Sequence, residues 1–126
     1  MMKTLILLFS LLVACNCDMF EHLKEGAKCQ ELSLSEYQEK NRECLDENRT
    51  AHCLIDDQNN HGLVCENILK IPKGKCPFFD TKKERMDIRP CQGKNCPSEE
   101  IYSLTAVKFD GCYEIYRENH DEHTEF

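Results

Sequence analysis

Cys76-Pro77-Phe78-Phe79 begins the stretch that decides the fold. It continues through Pro90-Cys91-Gln92-Gly93-Lys94-Asn95-Cys96 and closes at Asp110-Gly111-Cys112-Tyr113. Four cysteines fall there in the spacing C-x14-C-x4-C-x15-C. Upstream, Cys29, Cys44, Cys53 and Cys65 read C-x14-C-x8-C-x11-C, with the same first gap and the same total for the last two. Each set is preceded by a Glu, then Leu-Lys, then a Gly, then Lys-Cys (Glu21 to Cys29 and Glu66 to Cys76). Matching spacing and flanks suggest an internal duplication. The expectation is a small, disulfide-rich, mostly β protein of two tandem four-cysteine modules, residues 18–65 and 66–117. If each module is closed, every bridge lies within its own set of four. Three pairings then remain open in each set.

Ten Cys among 126 residues, with no Trp and six Phe, indicate an oxidising compartment and a covalent scaffold in place of a large apolar core. The net charge of −7 argues against nucleic acid, whose phosphates attract Lys and Arg, and against anionic membranes. Lys3, the apolar run Leu5 to Val13 and the small residues Ala14 to Cys17 have the layout of a secretory signal peptide, residues 1–17. A cut before Asp18 places Cys15 and Cys17 at the positions the peptidase reads and leaves an even set of eight Cys. Lipidation of Cys15 would leave an odd set and a stranded thiol, so secretion is the better reading.

Local signals are sparse. Ser35-Glu36-Tyr37-Gln38 resembles a helix start, which predicts a short helix from Glu36 to about Asp46. Asp56 to Gly62 consists of turn formers and reads as an exposed loop. Ile68 to Ile71 reads as a short strand ended by Pro72. Ile101 to Phe109 is rich in β-formers, and Asp110-Gly111 separates it from Cys112 to Tyr116, which predicts a C-terminal β-hairpin.

The chemistry-bearing residues point to binding more than to catalysis. None of the five His sits in a recognisable nucleophile or metal motif, and the even Cys set leaves no free thiol. The expectation is a non-enzyme without a cofactor. Asn48-Arg49-Thr50 is a glycosylation sequon in a polar link. Phe78 and Phe79 are adjacent, so on a strand they point to opposite sides, and one of them could serve as an exposed aromatic anchor for a partner. Lys94 stands in the four-residue loop between Cys91 and Cys96, where a trypsin-like protease could accept it. His120 and His123 lie among acids in the tail 118–126. They are weak metal candidates, because a solvated acidic tail explains them as well.

Pro90-Cys91-x4-Cys96, followed fifteen residues later by Gly111-Cys112, resembles the end of small cystine-rich salivary peptides of ticks, built on a von Willebrand factor C-like module. The resemblance covers roughly residues 66–116. The first half departs from it: Glu43 precedes Cys44 where the pattern has Pro, and the next gap is x8 instead of x4. The resemblance implies a secreted protein that blocks an extracellular host protein of complement, chemokine or protease type. The acidic charge favours a basic partner. An antimicrobial or metal-sequestering role through the tail is the alternative from another class.

Overall fold

A computed structural model of the chain describes residues 20–117. The expected signal peptide and the tail with His120 and His123 lie outside the described residues. In chain order the elements are β1 (Glu21–His22), α1 (Leu34–Leu45), β2 (Thr50–Ile55), β3 (His61–Glu66), β4 (Lys70–Ile71), β5 (Lys75–Asp80), β6 (Arg85–Pro90) and β7 (Ile101–Tyr102). Short 3-10 segments span Cys29–Glu31, Ser103–Lys108 and Asp110–Cys112. The protein is a small, mostly β, disulfide-rich fold, as the cysteine content predicts.

The central sheet is antiparallel, with the order β1-β3-β2. Strand side chains alternate between faces, and here the two faces meet different layers. Ala51 and Cys65 pack with Cys44 of α1 and with Tyr37. Leu54 and Val64 pack with Phe79 and Met86 of the β5–β6 hairpin and with Phe20. The sheet is therefore sandwiched between a helix and a hairpin.

Four bridges hold these layers: Cys29–Cys53, Cys44–Cys65, Cys76–Cys112 and Cys91–Cys96. All stay within their own set of four. The pairing differs, however. The first set joins first to third and second to fourth Cys, whereas the second set joins first to fourth and second to third. The equal x14 gaps also hold different elements, α1 in the first half and the β5–β6 hairpin in the second. Moreover, one core cluster draws Cys29, Cys53, Ile55 and Leu63 from the first half and Cys76, Ala106, Cys112 and Tyr113 from the second. The Tyr113 hydroxyl donates to the Cys53 carbonyl at 2.6 Å across that seam. The halves have separate bridges and a common core.

The helix starts earlier than the sequence suggests. Ser33 is the N-cap: its Oγ accepts from the Glu36 N–H at 3.2 Å, and its own N–H donates to Glu36 Oε1 at 3.1 Å. Ser33 with Glu36 and Ser35 with Gln38 both fit the capping-box pattern, and the structure uses the first. The apolar stripe is thin, and α1 is held to β3 by the Cys44–Cys65 bridge. Closing a loop of this length contributes about 3 kcal/mol.

Three local expectations are corrected. The hairpin expected over residues 101–116 does not form. Of Ile101 to Phe109 only Ile101–Tyr102 is strand, paired with β4, and Ser103–Lys108 is a 3-10 helix that buries Ser103 and Ala106. That spacing of three is the 3-10 repeat, and the β-branched composition hid it. Gly111 is not a type I′ turn residue. A Cβ there would lie 2.7 Å from Cys91 Sγ and from the carbonyl oxygens of Gln92 and Asn95, so glycine is needed for close approach of the Cys91–Cys96 loop. The loop from Asp56 is not wholly exposed either. Asp56 is 1% exposed, and its Oδ1 accepts from the N–H groups of Gln58 (2.9 Å) and Asn60 (2.8 Å), which turns β2 into β3. Finally, the strand expected over Ile68 to Ile71 shrinks to Lys70–Ile71.

Candidate partner-binding site

A pocket of about 330 Å³ opens where α1, β2 and the Ser103–Lys108 segment meet. The sequence directs each wall. The capping box points the first turn of α1 across the edge strand β2, and the Asn41 side-chain oxygen accepts from the Ala51 N–H at 3.0 Å, tying helix to strand. Tyr37, Ala51, Cys53, Val107 and Tyr113 supply apolar surface inside. Leu34 and Leu104 form the lips, 73% and 38% exposed. Two large aliphatic side chains left in water beside an apolar pocket are unfavourable unless something covers them. Along the outer face of α1, Glu36, Glu39 and Glu43 are exposed, and Asp46 continues the acidic row.

The inner wall holds a buried polar chain. His52 Nδ1 lies 3.0 Å from the Thr50 carbonyl, which can only accept, so Nδ1 carries the proton. Its Nε2 therefore accepts from the Ser103 hydroxyl at 2.8 Å. Ser103 Oγ in turn accepts from the Leu69 N–H at 3.0 Å. Burial lowers the His52 pKa, against a smaller upward pull from the Thr50 carbonyl, and keeps the ring neutral. Burial likewise raises the pKa of Tyr37 and, far more strongly, that of Tyr113. A serine donating to a neutral imidazole is also the arrangement of a nucleophile and its base. Here both ends of the chain are bound to main-chain groups and Ser103 is 2% exposed, so the pair ties β2 to the β3–β4 link. The sequence reading missed this pair because 51 residues separate its members.

The residues singled out from sequence fall in four places. Phe79 is 3% exposed and stacks on Phe20 at 4.7 Å, which removes it from any partner surface. Phe78 is half-buried against the shared core, with the Arg89 guanidinium 4.6 Å above its ring. The expected exposed anchor is thus corrected: the two rings serve opposite sides of the hairpin, as the alternation of a strand requires. Lys94 is exposed in the loop that the Cys91–Cys96 bridge closes. Asn48 is exposed at the exit of α1 with φ 59°, a left-handed conformation that asparagine tolerates. The structure brings none of Phe78, Phe79 and Lys94 to the pocket.

Among the described residues the metal-type grouping is the sulfur set of Cys76, Cys91 and Cys112, within 4.8 Å of one another. All three are in bridges and offer no thiolate. No helix of the described residues is long and apolar enough to cross a membrane. Compared with protein-family models, curated proteins and solved structures, the chain finds no match.

Proposed function

We propose that this chain is a secreted, non-enzymatic binding protein that captures a basic extracellular protein, blocking it by covering its surface. The observation that carries this reading is the apolar pocket between Leu34 and Leu104, lined on the helix side by Leu34, Tyr37, Gln38 and Asn41. An apolar side chain of the partner fills the pocket, and the net negative charge of the chain draws a basic partner toward it. Such a division of labour is usual: a desolvated apolar centre gives affinity, and rim charges give rate and selectivity. Four disulfides fit an extracellular setting. The likeness of residues 66–116 to tick salivary peptides points to host complement proteins, chemokines or proteases as the class of target. A glycan on Asn48 would project from the far end of α1.

The test uses purified basic chemokines and complement proteins, with binding followed by surface plasmon resonance. Replacing both Leu34 and Leu104 by Ser leaves the fold intact, because both are exposed, and weakens binding by about 2 kcal/mol or more. Equal affinity of the double variant, or no binding by any member of the panel, refutes the assignment. A second reading, inhibition of a trypsin-like protease, rests on the exposure of Lys94 in a bridged loop. Inhibition assays with Lys94→Ala separate the two.

A further inference from the structure

The charge of this acidic protein is unevenly placed. Residues 67–79 and 88–98 contain no Asp or Glu, and between them they carry Lys70, Lys73, Lys75, Arg89 and Lys94. The fold sets the two runs side by side. β5 pairs with β6 from Lys75 opposite Pro90 to Pro77 opposite Ile88. Beyond the strands the Cys91 N–H donates to the Gly74 carbonyl at 2.9 Å, and the Gly74 N–H donates to the Pro97 carbonyl at 3.0 Å. The Cys91–Cys96 bridge fixes the loop that bears Lys94. Among the described residues Lys70, Lys73, Lys75 and Lys94 take part in none of the ion pairs, which involve Lys40, Lys83 and His22. Arg89 is held apart from them, its guanidinium 4.6 Å from the Phe78 ring and 4.0 Å from the Tyr116 ring. Glu114, whose carboxylate lies beside Gly93, and Glu99-Glu100 mark the border of the region.

We infer that this cationic end is a second binding surface, for a sulfated polysaccharide of the extracellular matrix. Clustered lysines without carboxylate partners retain their full attraction for a polyanion, even on a molecule of opposite net charge. The choice among polyanions follows from what accompanies the lysines. Exposed Ile68, Leu69 and Tyr102 adjoin Lys70 alone, and residues 71–98, which carry Lys73, Lys75 and Lys94, expose no large apolar side chain to enter a bilayer. No exposed aromatic ring is present in that range to stack on nucleobases. The disulfides place the surface where sulfated glycans are found. None of the four lysines lines the pocket beside α1, although Lys70, paired with Tyr102, lies next to its Ser103 wall.

The test is binding of the full-length secreted protein to immobilised heparin at 0.15 M salt. The triple variant Lys70→Gln, Lys73→Gln, Lys94→Gln should bind about tenfold to a thousandfold more weakly, since each lysine near an anionic surface contributes a comparable share. A control triple variant, Lys24→Gln, Lys28→Gln, Lys108→Gln, makes the same change in net charge at exposed positions elsewhere and should bind as the parent does. Parallel arms use phosphatidylserine vesicles and single-stranded DNA. Absence of heparin binding by the parent, equal loss in the control, or tighter binding to vesicles or DNA would overturn the inference.

Discussion

His52 shows how much a single side chain can join in this fold. Its ring links the Thr50 carbonyl to the Ser103 hydroxyl, which also receives the Leu69 N–H. A neutral ring is required, because Nε2 must accept. Burial lowers the pKa of His52, and burial together with the nearby Lys28 lowers that of His61, whose Nδ1 accepts from the Cys29 N–H at 3.0 Å. The unfolded chain therefore takes up protons near pH 6.5, before the folded one does. Between the folded pKa values and pH 6.5 the unfolded state holds more protons, so stability rises with pH and is lost on acidification through that window. Urea unfolding between pH 7.5 and pH 5 should show a falling midpoint, worth about 1.4 kcal/mol for each unit of pKa depression. In a His52→Gln, His61→Gln variant the slope should flatten; an unchanged slope would assign the acid sensitivity elsewhere. None of this was legible in the sequence. A histidine bonded to a serine 51 positions away leaves no local pattern.

At the level of elements, the legible features were those set by short-range rules. The helix was expected because Ser, Glu and a thin apolar stripe fall together, and only its cap was misplaced, Ser35 for Ser33. Replacing Ser33 by Ala removes an acceptor for the Glu36 N–H and should cost about 1 kcal/mol in urea unfolding. The same change at Ser35 should cost only a few tenths, and equal effects would reject the assigned cap. The hairpins were hidden for the converse reason. β2 and β3 turn through the buried Asp56 carboxylate, and β5 and β6 turn with Glu84 at φ 56° and Asp80 Oδ1 accepting from the Lys82 and Lys83 N–H groups. Neither turn contains a glycine, the residue by which a hairpin is usually detected. Asp110-Gly111, which does have that signature, is spent on packing against the Cys91 loop.

For the whole molecule, the cysteine count foretold the fold class, and the matched spacing foretold the confinement of bridges to each half. It could not foretell the shape. Identical gaps accommodate a helix in one half and a hairpin in the other, because a disulfide constrains the ends of a segment and leaves the path between them to local side chains. The candidate pocket was likewise invisible, since its lips come from residues 70 positions apart, Leu34 and Leu104. Exposed acids line one face of α1, whereas Lys73, Lys75 and Lys94 lie at one end of the β5–β6 hairpin.

The close approach of Cys76, Cys91 and Cys112 has a chemical consequence. Cys91–Cys96 closes the shortest loop, with a sequence separation of 5, and Cys91 is only half-buried. A reductant that opens it releases a thiolate on Cys91 within 4.8 Å of the sulfurs of Cys76 and Cys112. Attack on either one forms a new bond to Cys91 and expels the other as a thiolate, so the number of disulfides is unchanged by the exchange. Limited reduction followed by alkylation and peptide mapping should therefore find isomers that pair Cys91 with Cys76 or Cys112, with Cys29–Cys53 and Cys44–Cys65 intact. Early loss of either first-half bridge would contradict this route. The two halves share one interior yet differ in redox character: the first keeps its pairing, while the second can trade partners in place.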